Sequence, residues 1–193
     1  MTALDERSTV PDARARFGAT LWLTGLPSAG KTTLATALAD RLRAEGVDGV
    51  EVLDGDEVRE FLSKGLGFSR EDRDTNVLRI GWVAATLAKH GVLVLASVIS
   101  PFAETREGVR ALHAAKGADF LEVHVATPVE VCSERDVKGL YAKQRAGELT
   151  GLTGVDAPYE APASPAAVVP TQEQTLDESV EQLHVLLTTA GVL

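Results

Sequence analysis

The chain has 193 residues, 45% of them hydrophobic and 24% charged, with a net charge of −9. That supplies one domain's core, argues against a nucleic-acid polymer as partner, and leaves no apolar run near the roughly 20 residues of a membrane span. The single cysteine, Cys132, excludes an intrachain disulfide and a cysteine-built zinc cage. Residues 1–18 read as a flexible lead-in, polar and without the apolar stretch of a secretory signal, so the expected location is cytoplasmic. Residues 19–193 read as one domain.

Apolar runs then alternate with helical patterns. Residues 20–24 form a first strand, and 33–45 carry Leu34, Leu38 and Leu42 at four-residue steps, an amphipathic helix. A short strand over 50–53 ends at Asp54-Gly55-Asp56, and 57–62 is helical. Residues 70–90 make a long helix with an apolar stripe through Val77, Ile80, Ala84 and Leu87. The continuous apolar run 92–98 suits a strand buried on both faces. Helix 104–116, strand 120–125 and helix 128–135 follow, the last with proline at its start. Residues 138–154 hold four glycines and several cations and read as a mobile segment, a lid. Prolines 158, 162 and 165 interrupt regular structure, 167–169 is a last strand, and 176–188 a closing helix. The repeated alternation predicts a three-layer α/β/α fold, a parallel sheet with helices on both faces.

Between the first strand and its helix stands Gly25-Leu26-Pro27-Ser28-Ala29-Gly30-Lys31-Thr32, followed by Thr33. It fits G-x-x-x-x-G-K-[ST], which arises by chance in roughly one chain of this length in a hundred, and the strand–loop–helix context lowers that further. The two glycines let successive N–H groups turn inward into an anion nest, and the following helix adds the positive end of its dipole. Lys31 can span the β- and γ-phosphates of ATP, while the Thr32 hydroxyl can ligate Mg²⁺.

Ligands of such sheets sit at the carboxyl ends of the strands. Asp54-Gly55-Asp56 is one of those ends. Two carboxylates beside a phosphate loop can order the waters of Mg²⁺ and accept a proton from an attacking hydroxyl. Asp-Gly is also ordinary turn chemistry, and Asp56 could simply cap the next helix. Arg59, Arg70, Arg73, Arg79, Arg135, Lys138, Lys143 and Arg145 concentrate mid-chain, which predicts a basic cleft in an acidic protein. The four histidines are scattered and lack metal-ligand spacing.

Several blocks together resemble the adenylylsulfate (APS) kinases: Asp54-Gly55-Asp56, the segment 64–76, Ile99-Ser100-Pro101-Phe102, 135–141, 145–148 and 156–162. The resemblance runs from about residue 20 to 171. It implies ATP-dependent phosphorylation of the 3′-hydroxyl of adenosine 5′-phosphosulfate, with Mg²⁺ and, as in much of the family, a homodimer. By the same resemblance Lys31, Asp56 and Lys138 are catalytic, with Lys138 arriving on lid closure, and Thr32 and Asp56 support the metal. Residues 25–33 and Arg135 hold the nucleotide. Asp54, Asp56, Arg59, Phe68, Arg73, Asn76, Ile99, Ser100, Lys138, Leu140 and Leu152 hold APS, Phe68 by stacking on its adenine.

The chain departs from the family pattern at Pro27-Ser28, where a Ser/Thr-Gly pair is usual, and at Ala103 and Thr105, whereas Arg106 matches. Leu152 stands where a second adenine-stacking phenylalanine is common, so a weaker grip on APS is expected, by about 0.5–1.5 kcal/mol. Two other readings compete: a kinase for a different small hydroxyl substrate, and a nucleotide-binding module without turnover. The Phe68, Arg73 and Asn76 block speaks against the first and retention of Asp56 against the second. A phosphoserine intermediate at Ser100 is disfavoured, because in-line transfer needs no protein nucleophile.

Overall fold

A computed structural model describes residues 18–193, so the lead-in read over 1–18 lies almost wholly outside the described residues. Five strands form one parallel sheet: β1 (Ala19–Thr24), β2 (Val50–Asp54), β3 (Leu93–Ser97), β4 (Asp119–Val125) and β5 (Ala167–Val169). Their spatial order is β2-β3-β1-β4-β5, with β1 at the centre. Helices α1 (Lys31–Ala44), α2 (Gly55–Phe61), α3 (Arg70–Lys89), α4 (Ala103–Lys116), α5 (Val129–Arg135), α6 (Leu140–Arg145) and α7 (Leu176–Thr189) complete the domain. Expected and observed elements agree to within a residue or two, α6 aside.

Strand β1 is buried along its whole length, and its alternating side chains feed two cores. Leu21 and Leu23 point to one face, where Leu34, Leu38 and Leu42 of α1 meet Leu183 and Leu187 of α7. Trp22 points to the other, against Val77 and Ile80 of α3 and Val109 of α4. The central strand thus joins both layers. Its register is strictly specified, since a one-residue slip would exchange the two faces.

Two buried polar devices hold the α4 side. Arg106 is 3% exposed and Glu122 10%, and they pair at 2.6 Å. The remaining Arg106 donors reach the carbonyls of Ser100 at 2.8 Å and Glu160 at 2.7 Å. Arg106 therefore fixes the turn after β3 and the proline-rich segment together. The Glu160 carboxylate in turn accepts from Ala103 N at 2.7 Å, closing the N-terminus of α4.

His113 is fully buried. Its Nδ1 lies 2.8 Å from the Val109 carbonyl and its Nε2 2.8 Å from the Thr20 hydroxyl. A carbonyl only accepts, so Nδ1 carries the proton and Nε2 accepts from Thr20. Burial holds the His113 pKa below its usual 6.5, so the native state resists protonation where the unfolded chain takes it up. Stability contributed by this site is present above pH 6.5 and lost as pH falls through the depressed native value. Denaturant melts between pH 7.5 and 5 should show that loss, and His113→Gln should flatten this part of the slope. An unchanged slope in the variant would refute the assignment.

Candidate active site

At the carboxyl ends of β1, β2 and β3 lies a cavity of about 770 Å³. One side is the phosphate loop, through Pro27, Ser28, Gly30, Lys31, Thr32 and Thr33. The opposite side is Arg59, Phe68, Arg73, Asn76, Ile99 and Ser100. Asp54, Asp56, Arg135, Lys138 and Leu140 lie between or above them. Gly25, Leu26, Ala29 and Leu152 do not line it.

The loop adopts the geometry its glycines allow. Gly30 has φ 102°, a left-handed value that costs other residues strain, and stands as the residue before α1. Ser28 has φ 61° without being glycine. Ser100 at φ 40° and Asp136 at φ 30° are the other non-glycine residues with positive φ among those described. Ser28 and Ser100 line the cavity, and Asp136 stands next to Val137, which also lines it; strained backbone concentrates in functional sites.

Lys31 is folded back on its own loop, its Nζ donating to the carbonyls of Gly25 at 3.0 Å and Leu26 at 2.7 Å. Burial pulls its ammonium down to about 8 from an ordinary 10.5. Thr32 donates its hydroxyl to Asp54 Oδ2 at 2.6 Å and lies 3.1 Å from the Ser97 hydroxyl. The other oxygen of Asp54 accepts from the N–H groups of Asp56 at 2.9 Å and Glu57 at 3.5 Å, capping α2. The capping role open to Asp56 thus falls to Asp54, as does the contact with Thr32. Asp56 instead projects from the first turn of α2 and forms an ion pair with Lys138 across the cavity.

The opposite wall is cationic. The Arg59 guanidinium lies 4.5 Å above the ring of Phe68 and donates to the Gly67 carbonyl at 2.9 Å. Arg73 donates to the carbonyl of Phe68 at 2.8 Å, to the Thr153 hydroxyl at 2.8 Å and to the Gly151 carbonyl at 2.6 Å. Partial burial lowers the pKa of both, and at Arg73 repulsion from Arg59 adds to it. Two guanidiniums crowded this way mark a place for an anion. Asn76, 6% exposed, has its Oδ1 buried without a hydrogen-bond partner. Phe68 itself is 66% exposed on the cavity rim.

Several expectations are corrected by these contacts. The mid-chain cations do not all converge: Arg79 donates to the Leu62 carbonyl, Arg145 to the Ser133 hydroxyl, and Arg70 pairs with Asp74 and Glu104. Residues 138–154, read as a mobile segment, contain the short helix α6 and carry Tyr141 and Leu152 into the main core. Tyr141 is buried with its hydroxyl on the Pro27 carbonyl at 3.0 Å. Leu152 is 5% exposed in the main core, and Gly154 sits so close to Leu26 that a Cβ there would come within 2.5 Å of Leu26 Cδ2. Leu152 therefore packs inward and does not line the cavity in this structure. The sequence reading missed Ser97, Val137, Thr171, Gln174, Thr175, Leu176 and Ser179, which also line the cavity. For all but Val137 the sequence signal is position at or just after a strand end, or at the start of the last helix.

Two measurements follow from these contacts. A phosphate beside Lys31 restores its proton, so nucleotide binding at pH 8.5–9 should take up protons, read calorimetrically in buffers of different ionisation enthalpy. Lys31→Met should abolish the uptake, and its absence in the parent would refute the buried-ammonium account. Leu152→Ala should cost about 2–5 kcal/mol of stability. Leu152→Phe should overpack the core by about 1–3 kcal/mol, without tightening APS binding; tighter binding would place residue 152 on the cavity after all.

Comparison with known proteins agrees with this geometry. The profile of the adenylylsulphate kinase family matches residues 17–170. An adenylyl-sulfate kinase of Picosynechococcus sp. is 51% identical over 176 residues, 91% of this chain and 97% of that protein. The Mycobacterium tuberculosis APS kinase CysC, solved in complex with AMPPNP and APS, superposes with TM-score 0.86 at 44% identity, over 89% of this chain and 98% of the other. A hexameric APS kinase from Thiobacillus denitrificans gives TM-score 0.71 at 36% identity, over 93% of this chain and 30% of that one. With half of its residues shared across nearly the full length and with the site assembled on the same fold, this chain belongs to the adenylylsulphate kinase family.

Proposed function

We propose that this protein transfers the γ-phosphoryl group of ATP to the 3′-hydroxyl of adenosine 5′-phosphosulfate, releasing ADP and PAPS. The observation that carries the reading is the two-sided cavity. A phosphate loop faces a wall of paired guanidiniums, an exposed aromatic ring and an orphan amide oxygen, with a carboxylate and a lysine between them.

ATP lies along the loop, its phosphates in the nest and its base toward Arg135 and Thr171. APS occupies the other side, with Phe68 against its adenine, Arg59 and Arg73 toward its phosphosulfate, and Asn76 Oδ1 accepting from a ligand donor. The O3′–Pγ bond forms as the Pγ–O bond to the β-phosphate breaks, and the hydroxyl proton passes to the Asp56 carboxylate. Lys31 and Lys138 neutralise charge on the transferring group. Lys138 leaves Asp56 to do so, which couples release of the base to arrival of the phosphate.

The hard oxygen donors at Thr32 and Asp54 fit Mg²⁺, which keeps most of its waters and takes few protein ligands. Thr32 and Asp54 would hold the ion, which would supply charge neutralisation to the phosphates. Asp54 thereby takes the metal-supporting part expected of Asp56. Ser100 is a scaffold residue in this reading: its buried hydroxyl accepts from the Trp22 indole at 3.0 Å and lies 3.3 Å from the Val98 carbonyl. Catalysis proceeds without a phosphoserine.

The protein works in the cytoplasm as a homodimer in this proposal. Phe61 on α2 and Trp82 on α3 are 79% and 54% exposed, with Leu62 and Leu78 beside them, apolar area that a second copy would cover. Among the described residues no helix is long and apolar enough to cross a membrane.

APS-dependent release of ADP with formation of PAPS is the direct assay, and no PAPS with both nucleotides and magnesium present would sink the assignment. Asp56→Ala and Lys31→Ala should each lower kcat at least about 100-fold, and normal turnover in either would remove that residue's role. Trp82→Glu should convert the dimer to monomer in light scattering; a parent already monomeric would refute the dimer.

A further inference from the structure

In a planar trans peptide the C=O and N–H groups point in opposite directions. A loop whose N–H groups converge on an anion must therefore turn its carbonyls outward, and each outward carbonyl needs a partner behind it. The loop meets that need with side chains from distant elements. The Pro27 carbonyl accepts from Tyr141 Oη at 3.0 Å. The Ala29 carbonyl accepts from the hydroxyls of Thr127 at 2.8 Å and Thr171 at 3.1 Å. The carbonyls of Gly25 and Leu26 accept from Lys31, as described above.

Those two kinds of partner behave differently during turnover. Lys31 must leave Gly25 and Leu26 to reach a phosphate, so its hold is lost when the ligand arrives. The hydroxyls touch no ligand atom through these bonds and can stay. The Pro27 carbonyl shares a peptide with the N–H of Ser28, and the Ala29 carbonyl with the N–H of Gly30, so the hydroxyls aim those two donors. This chain depends on them more than the family's usual loop does, because Pro27 brings no N–H of its own to the nest. Ser28 also holds a left-handed backbone that its side chain disfavours.

We propose that Tyr141 and Thr127 are positioning residues for the phosphate site, clamping the loop's outward carbonyls so that its N–H groups face the nucleotide, and that Thr171 shares the hold on Ala29. Neither Tyr141 nor Thr127 lines the cavity; both are buried behind the loop. Because Tyr141 sits on α6 and Lys138 just before it, the clamp also ties the lid to the loop. The inference rests on the proposed use of the loop for the phosphates of ATP.

The test compares Tyr141→Phe, Thr127→Val and Thr127→Ser with the parent in the full chain. Binding of Mg-ATP, inorganic tripolyphosphate and APS is measured separately, beside steady-state kinetics. Loss of one such hydrogen bond should weaken ATP and tripolyphosphate about 3- to 10-fold. APS affinity should stay within twofold and KM for ATP should rise more than kcat falls. Thr127→Ser should restore binding. Parent-like tripolyphosphate affinity in both Tyr141→Phe and Thr127→Val would overturn the proposal, as would equal weakening of ATP and APS or a serine variant no better than valine. If Tyr141→Phe fails to fold, the valine and serine pair at Thr127 decides alone. Weakened tripolyphosphate binding in the variants, beside a parent that makes no PAPS, would keep the clamp and reject the kinase reading.

Discussion

The carboxylate of Asp54 is the contact on which the arrangement of the site turns. One oxygen closes the N-terminus of α2 and the other takes the hydroxyl of Thr32, which also approaches Ser97. The ends of β2 and β3 and the start of α1 are thus joined by hydrogen bonds. The N-terminal turn of α2 places Asp56 over the cavity only because Asp54 holds that turn in place.

A second constraint operates on the wall opposite the phosphate loop. Arg106 is held by Glu122 within the core and spends its remaining donors on the backbone of Ser100 and Glu160. Burying an ion pair yields little net stability compared with an apolar pair, while breaking one costs several kcal/mol. Its benefit here is geometric: it fixes the strained Ser100 turn, so Ile99 and Ser100 present backbone to the cavity. Trp22, packed in the sheet, steadies the same turn through its indole N–H. The positive φ values at Ser28, Ser100 and Asp136 are sustained by this surrounding order.

Segment 138–154 is more firmly packed than its composition suggests. Glycines and cations over 138–154 look mobile when each residue is read by itself. Tyr141 and Leu152 instead contribute to the main core, and Asp156 accepts from the N–H groups of Gly151 and Leu152 at 2.8 and 2.6 Å. Arg73 links the anchored turn to Phe68, so the Phe68 ring and the phosphate loop share a neighbour in residues 151–154.

Most of the architecture was legible in order and type from the chain alone. Parallel strands buried on both faces leave continuous apolar runs such as 93–97, and a four-residue leucine step marks α1 without ambiguity. The phosphate loop was legible because its function is carried by local backbone, which glycine spacing controls directly. What the chain alone left open is every pairing between residues far apart in sequence. Whether Asp54 or Asp56 meets Thr32, which arginines face the cavity, and whether Leu152 turns in or out depend on how separate segments pack. Side-chain direction in such places is decided by the competition for buried volume and for unpaired polar groups, and that competition exists only once the chain has folded.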